Sequence, residues 1–132
     1  MSHSPQKFSE EAFGRGMNNT KRGRMGECIA LKYLEQKGYT IITSNYHTRY
    51  GEIDIIAKDQ ETLAFVEVKA RSSMRYGRGV EAVTESKQEK LRKTALLFLQ
   101  EKGLGDHAMR FDVIDIMFGD DKPDITHIEY AF

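Results

Sequence analysis

The chain has 132 residues, with 20 Lys and Arg balanced by 20 Asp and Glu, and a single cysteine. This length suits one domain with one core. The zero net charge argues against a protein that coats nucleic acid nonspecifically, and one cysteine excludes an internal disulfide or a multi-cysteine zinc site. No segment approaches the roughly 20 apolar residues that span a bilayer, and the N-terminal residues lack the apolar region of a secretory signal. We therefore expect a soluble, cytoplasmic protein with no membrane partner.

Taken in chain order, the pattern begins with a polar stretch and then becomes helical. Residues 1–19 show no sustained period and predict a flexible N-terminal arm, which leaves 20–132 as a single domain. Apolar residues such as Ala30 and Leu34 then recur at helical spacing, and Gly38 supplies a stop signal. We predict a first helix over Thr20–Lys37.

Three strands should follow this helix. The β-forming runs are Tyr39–Tyr46, Gly51–Ala57 and Thr62–Lys69, the last two being joined by a polar turn over Lys58–Glu61. They predict an antiparallel meander. The next segment, Ala70–Gly79, is basic and lacks apolar periodicity, so it is expected to be a loop.

The rest of the chain adds a helix and two strands. Thr84 is the expected N-cap of a second helix that runs to about Lys102, and Met109–Met117 has the pattern of a strand. Because a helix connects the third strand to the fourth, these two should be parallel. Ile125–Ala131 is predicted as a final edge strand. The fold class is thus α/β, with a mixed sheet flanked by helices.

Charged residues interrupt the two apolar strands of the central hairpin. Alternation places Glu52, Asp54 and Ile56 on one face, and Phe65, Glu67 and Lys69 on one face of the next strand. If the four-residue turn pairs Ala57 with Thr62, Asp54 lies opposite Phe65 and diagonal to Glu67. Diagonal residues are about 7 to 8 Å apart, near enough for two carboxylates to hold one ion. A salt bridge from Lys69 to Asp54 or Glu67 is the alternative explanation.

Each predicted helix also directs one charge toward the sheet. Glu27 begins the apolar stripe that continues through Ala30 and Leu34, and Lys87 stands in the same relation to Leu91 and Phe98. Two carboxylates and a lysine on the hairpin, with one charge from each helix, indicate a convergent site.

These residues lie in blocks that resemble a known family. The blocks are Gly26-Glu27, Gly51-Glu52-Ile53-Asp54, Phe65-Val66-Glu67-Val68-Lys69-Ala70-Arg71 and Val83-Thr84-Glu85-Ser86-Lys87-Gln88. From about Lys21 to Tyr130 the chain resembles the UPF0102 (YraN-like) family, which in turn resembles the PD-(D/E)xK nuclease superfamily, including Holliday-junction resolvases. The resemblance implies a restriction-endonuclease-like core of helix, three strands, helix and strand, here with an added C-terminal edge strand. Ile53 stands where the superfamily name has proline, which leaves Asp54 in place.

The resemblance implies a metal-dependent endonuclease that hydrolyses phosphodiester bonds of DNA, branched or single-stranded. Asp54 and Glu67, with the backbone carbonyl of Val68, would bind Mg²⁺ or Mn²⁺. Lys69 would orient or deprotonate the attacking water, and Glu27 would support the site through water or a second metal. These four side chains, Glu27, Asp54, Glu67 and Lys69, are the predicted catalytic residues.

Nucleic-acid contacts are predicted from the basic segments of the chain. The candidates are Arg71, Arg75, Tyr76, Arg78, Lys87 and Gln88. Arginines bind phosphates and an interleaved tyrosine can stack on an unpaired base, although an ordinary solvated loop explains the same residues. Two other functions stay open: a non-catalytic nucleic-acid-binding module, and a structural or assembly protein that uses the edge strand. A homodimer would suit cuts on two strands of a symmetric junction.

Overall fold

The computed structural model describes residues 19–72 and 83–132, which form two helices and five strands. The elements are α1 (Asn19–Gln36), β1 (Thr40–Thr48), β2 (Gly51–Asp59), β3 (Thr62–Arg71), α2 (Glu85–Glu101), β4 (Met109–Met117) and β5 (Asp124–Ile128). The predicted α/β class and element order are confirmed. Of the predicted arm, only Asn19 lies among the described residues, where it begins α1. Neither described helix is long and apolar enough to cross a membrane.

The five strands form one sheet in the order β1-β2-β3-β4-β5. β3 and β4 are parallel, as the intervening helix predicted, and the other neighbours are antiparallel. Thr84 caps α2 as predicted, with its hydroxyl accepting a hydrogen bond from the Lys87 amide at 3.2 Å. β5 is the predicted edge strand, although it ends at Ile128 rather than Ala131.

The sheet is covered on both faces, so the chain has two hydrophobic layers. On one face, α1 packs Ala30 and Leu34 against Ile55, Val66 and Ile114. On the other face, α2 packs a second set of buried side chains, Leu91, Ala95, Phe98 and Leu99, against Ile56, Phe65 and Phe111. Because one helix covers each face of the sheet, side chains from both helices can reach a residue at the end of the central strands.

The turn between β2 and β3 is shorter than the sequence suggested. Asp59 pairs with Thr62, so the turn has two residues, and Gln60 adopts a positive φ of 56°. The predicted pairing of Ala57 with Thr62 is therefore wrong. Asp59 stays in the strand because its carboxylate accepts a hydrogen bond from Arg110 of β4 at 3.2 Å. Continued to the end of the hairpin, the observed register brings Asp54 level with Glu67 instead of diagonal to it.

Strand alternation does not hold through the whole of β2. Ile53 and Ile56 pack in the same hydrophobic layer, whereas Ile55 packs in the opposite one. Residues three apart cannot share a face of a regular strand. Glu52 and Asp54 line the same cleft as Leu91 of α2, and Ile56 packs in the layer of Leu91, so these three residues of β2 lie on one face, toward α2, as predicted. The departure from alternation is at Ile53.

Helix α1 lies very close to β3 at Gly26. A Cβ atom at this position would lie 2.7 Å from the Cβ of Ala70 and 3.7 Å from Cγ1 of Val68. Such a distance is shorter than any real carbon contact, so only glycine allows the helix backbone to lie this near the strand. The close approach also fixes the height of Glu27, the next residue, above the sheet.

We expect Gly26→Ala to destabilise the protein by about 1 to 3 kcal/mol, because the added methyl overpacks the contact with Ala70. Gly23→Ala is the matched control, since no atom lies within 4 Å of a Cβ there. The control should be neutral or stabilise the helix by up to about 1 kcal/mol. Urea unfolding measures both; equal effects of the two substitutions would contradict the close contact.

A buried polar network joins β4 to β5. Arg110 Nε donates to both carboxylate oxygens of Asp112, at 3.0 and 3.1 Å, and His127 Nε2 donates to Oδ2 at 2.9 Å. The Tyr130 amide donates to Oδ1 at 3.2 Å. Burial by itself raises the pKa of the Asp112 carboxyl, but the hydrogen bonds from His127 and Arg110 outweigh it and hold the pKa below 3.8.

Asp112→Asn should destabilise the protein by about 1 to 3 kcal/mol at pH 7, since it removes the buried charge that accepts from Arg110 Nε and His127, while Arg110 keeps its ion pair with Asp59. A lowered pKa in the folded state means that the carboxylate stabilises the protein above pH 3.8, the ordinary value, and less as the pH falls further. The difference between wild type and variant should therefore shrink in acid. Unfolding curves from pH 7 to pH 3 test this, with Asp106→Asn as the exposed control.

Candidate active site

The candidate site lies where β2 and β3 part. The two strands pair from Asp59 and Thr62 as far as Ile55 and Val66. One step further, the Val68 amide donates to Oδ2 of Asp54 at 2.8 Å, so a side chain takes the place of a backbone partner. β3 meanwhile continues to pair with β4 as far as Arg71. The opening leaves both predicted carboxylates, Asp54 and Glu67, at one end of the hairpin.

Glu67 is buried and is held by two lysines. Lys87 Nζ of α2 donates to Glu67 Oε2 at 2.5 Å, and Lys69 Nζ lies 3.4 Å from the same oxygen. The Lys69–Glu67 salt bridge is the contact that the alternative interpretation of the sequence predicted. Burial by itself lowers the pKa of Lys87, but its hydrogen bond to Glu67 and the charge of that residue raise the pKa above 10.5. Lys87 is thus charged at neutral pH.

Glu27 reaches the same region from α1. Its pKa is raised above 4.5, first because it is partly buried and then because the carboxylates of Glu52 and Glu67 are near. A hydrogen bond with the Asn45 side chain acts in the opposite direction. Asn45 has a positive φ of 54°, a backbone conformation that asparagine tolerates better than most residues. The predicted convergence of charges from the hairpin and both helices is therefore present.

The carboxyl group of Asp54 has a strongly raised pKa. Burial is the main cause that raises its pKa from 3.8 to about 7, and the negative charges of Glu67, Glu27 and Glu52 raise it further. The hydrogen bond from the Val68 amide lowers it but does not compensate. Near neutral pH this carboxyl group can therefore either hold or release a proton.

Of these residues, Asp54, Glu67 and Lys87 line a cleft of about 240 Å³ between the hairpin and α2. Its lining consists of Gly51, Glu52, Asp54, Glu67, Lys87, Lys90 and Leu91. One wall is acidic and the wall formed by α2 is basic. Such a cleft offers oxygen ligands to a cation and ammonium groups to an anion.

Within residues 19–72 and 83–132, no group of three or more His, Cys, Asp or Glu side chains is arranged to hold a metal ion. The predicted ligand set differs from such a group, because it has two carboxylates, Asp54 and Glu67, and one backbone carbonyl, that of Val68. Mg²⁺ characteristically takes only one or two carboxylates and keeps several waters. The metal site stays a prediction.

Several predicted nucleic-acid contacts lie outside the cleft. Gln88 uses its amide to donate to the Val83 carbonyl at 3.2 Å, at the start of α2. Arg71 donates to Asp115 Oδ2 of β4 at 3.1 Å. Three more candidates, Arg75, Tyr76 and Arg78, fall outside the described residues. For all five, nucleic-acid binding stays a prediction.

Two residues of the site were missed by sequence reasoning. Lys90 lines the cleft one turn after Lys87 on α2, and this i, i+3 spacing of two lysines was a usable signal. Asn45 contacts Glu27 from within β1. No local pattern distinguishes Asn45, because its role depends on how β1 and α1 come together.

Comparison with known proteins identifies the family. Residues 26–116 match the model of "Uncharacterised protein family UPF0102". A UPF0102 protein of Geobacter metallireducens is 45% identical over 88% of this chain and 95% of its own length. Corresponding proteins of Syntrophomonas wolfei and Bifidobacterium longum are each 43% identical, over 86% and 89% of this chain and 99% and 98% of their own lengths. The chain belongs to the UPF0102 family.

We expect Asp54→Asn to stabilise the metal-free protein at pH 8 by about 2 to 4 kcal/mol. With its raised pKa, Asp54 favours the folded state when protonated, and this contribution is lost as the pH rises from 3.8 to about 7. The gain in the variant should therefore shrink toward pH 4.

Urea unfolding with EDTA at pH 4.5 and pH 8 measures this difference. Asp120→Asn, at an exposed aspartate, is the control and should show little gain at either pH. Equal stability of wild type and Asp54→Asn at pH 8 would show that the pKa of Asp54 is not raised in the folded protein.

Proposed function

We propose that this chain is a metal-dependent nuclease that hydrolyses phosphodiester bonds of nucleic acid, with DNA as its substrate. The observation that carries the proposal is the cleft in which Asp54 and Glu67 lie together at the parted end of a β-hairpin, with Lys69 and Lys87 on Glu67. The matching acid and acid-x-lysine blocks of the sequence, and their resemblance to the PD-(D/E)xK superfamily, point to the same chemistry.

The acidic wall of the cleft has the donor atoms that a hard divalent cation requires. Asp54 and Glu67 would hold Mg²⁺ or Mn²⁺ through carboxylate oxygens, with the Val68 carbonyl as a further ligand. The raised pKa of Asp54 supports this assignment, because burial and then the charges of Glu67, Glu27 and Glu52 disfavour its charged form, which a bound cation would stabilise. When bound, the ion supplies polarisation of the phosphate and a water molecule of lowered pKa.

Lys69 is the proposed positioning group for the attacking water. Its ammonium lies 3.4 Å from Glu67 Oε2, which keeps it beside the carboxylates, and its side chain is 23% exposed. From this position it can donate a hydrogen bond to the water or to a phosphate oxygen, and it can offset the negative charge that develops on phosphorus oxygens in the transition state.

Lys87 is proposed to bind the substrate phosphate. Its side chain is 40% exposed, more than Lys69, although its Nζ is bonded to Glu67. A lysine at the mouth of the cleft can exchange one carboxylate oxygen for a phosphate oxygen with little movement of α2. Glu27 acts from the other layer of the fold, where its charge acts on Asp54, and it would support the ion through water or hold a second metal.

Cleavage of labelled DNA tests the proposal. We expect wild type to cut at least one member of a panel of single-stranded, duplex and four-way-junction DNA with Mg²⁺ or Mn²⁺, and none with EDTA. Lys69→Ala should lower the single-turnover rate by roughly 10² to 10⁴. Glu67→Ala should abolish cleavage while keeping or strengthening DNA binding on a gel, since it removes negative charge.

Lys122→Ala, which removes an exposed lysine outside the cleft, is the control and should cut as wild type does. Metal-independent cutting, or cutting that survives Lys69→Ala and Glu67→Ala, would exclude this site as the catalytic centre. If pure wild type binds DNA but never cuts it, the chain is a binding module of the same fold.

A further inference from the structure

The tip of the β1–β2 hairpin is fixed against the side of α2. Thr48 Oγ1 donates to the Gly51 carbonyl at 3.2 Å and accepts from the Tyr50 amide at 3.1 Å, which closes the turn. The same hydroxyl lies 3.4 Å from Oγ1 of Thr94, a fully buried residue of α2. Since both Thr94 and the strand are anchored in the core, the tip has a defined position relative to the helix.

This arrangement gathers positive charge around one aromatic ring. Arg49 donates from Nη2 to the Tyr50 hydroxyl at 3.1 Å, and its guanidinium lies 5.1 Å from the centre of the Tyr50 ring. Lys93 Nζ of α2 lies 5.7 Å from the same centre. Two cations are thus held near each other by their attraction to the ring face.

The gathered cations lack acidic partners. In the described part of the chain, no ion pair joins Arg49, Lys90 or Lys93 to a carboxylate, and all three side chains are exposed. By contrast, Lys69 and Lys87 are both paired with Glu67. The unpaired charge is therefore concentrated outside the acidic floor of the cleft.

The cations extend from the cleft. Lys90 and Gly51 line its wall. Lys93 follows Lys90 by about one turn of α2, and Tyr50 directly precedes Gly51 in the hairpin. We name Arg49, Tyr50, Lys90 and Lys93 the basic ridge. A polyanion whose scissile group lies at Asp54 and Glu67 would pass over this ridge as it leaves the cleft.

We propose that the basic ridge binds the phosphate backbone of the nucleic acid on one side of the scissile bond. The inference rests on the proposed nuclease function for the location of that bond, whereas phosphate binding by the ridge can be measured without cleavage. Lys90 and Lys93 act as point charges, and Arg49 presents the guanidinium edge that is not engaged by Tyr50.

The length of the ridge sets the length of nucleic acid that it can contact. Asp54 is four residues further along the chain than Tyr50, or about 13 Å away at 3.3 Å per residue. Phosphates of duplex DNA advance about 3.4 Å per nucleotide along the axis. The ridge therefore engages phosphates up to about four nucleotides from the scissile bond, so a short oligonucleotide that ends at the cleft forgoes these contacts.

The test compares two double substitutions that remove identical charges. Arg49→Gln with Lys93→Gln alters the ridge, whereas Arg92→Gln with Lys102→Gln removes one Arg and one Lys elsewhere, from α2 and from its C-cap. Arg92 lies over the Phe132 ring and Lys102 over the Phe98 ring, away from the cleft. Both pairs are placed in an Asp54→Asn background and measured with EDTA, so that neither cleavage nor metal binding contributes. The probe is a fluorescein-labelled 20-nucleotide DNA, single-stranded or duplex, followed by anisotropy.

We expect the ridge variant to bind about 5- to 30-fold more weakly than its background. The slope of log affinity against log salt should also fall by roughly two units, one for each phosphate contact removed. The control pair should change neither quantity by comparable amounts. Equal losses in the two pairs would show nonspecific attraction, and an unchanged ridge variant would show that phosphates take another path; either result overturns the proposal.

The Tyr50 ring is tested separately, because Tyr50→Leu removes no charge. If the ring holds the cations in place, this variant should weaken DNA binding several-fold, whereas Tyr50→Phe, which retains the ring, should keep most of the affinity. A wild-type affinity in Tyr50→Leu would remove the ring from the proposal. Failure of the nuclease test alone would leave these binding results unaffected.

Discussion

The hydrogen bond from the Val68 amide to the Asp54 carboxylate determines the shape of the cleft. In an uninterrupted hairpin that amide would donate to a backbone carbonyl of the neighbouring strand or point away from it. The two strands would then stay side by side. Here it binds a side chain, so the strands can part while the amide remains satisfied. The parting creates room between two carboxylates that would otherwise lie on a closed sheet. Both the acidic floor and the access of α2 to Glu67 follow from it.

The same opening brings several carboxylates near Asp54, and their mutual repulsion opposes folding. Asp54 is partly buried among Glu27, Glu52 and Glu67, and its pKa rises to about 7. Glu67 is relieved by two lysines, whereas Asp54 has the Val68 amide as its compensating donor. A cation bound there would stabilise the charged form of Asp54. The raised pKa of Asp54 thus fits the metal-binding role that we propose for it.

Much of the fold could be predicted because periodicity and stop signals are local. The order of elements, the Thr84 cap and the parallel pairing of β3 with β4 follow from apolar spacing and chain connectivity. The β2–β3 turn could not be predicted, because Asp59 is kept in its strand by Arg110, which is 51 residues away. Local chemistry favoured a four-residue polar turn, and a tertiary ion pair overrode it.

The candidate site was predicted in its composition but not in its geometry. Asp54, Glu67, Lys69 and Lys87 were identified by charge in apolar strands and by helix phase, and the structure places them together. Their contacts depend on the parting of β2 and β3 at Asp54, which no residue type in the sequence predicts. The approach of Lys93 to Tyr50 was not predicted for a related reason, since the hairpin tip and α2 are distant in sequence and meet only in the folded chain.

The separation of the core into two layers has a consequence for how the protein responds to ligands. Glu27 belongs to the helix of one layer and Lys87 to the helix of the other, and both approach the same opening. A ligand that engages side chains from the two helices recognises only the assembled fold, so its binding energy adds to the energy of folding. A ligand bound in this way would cross-link the two layers noncovalently.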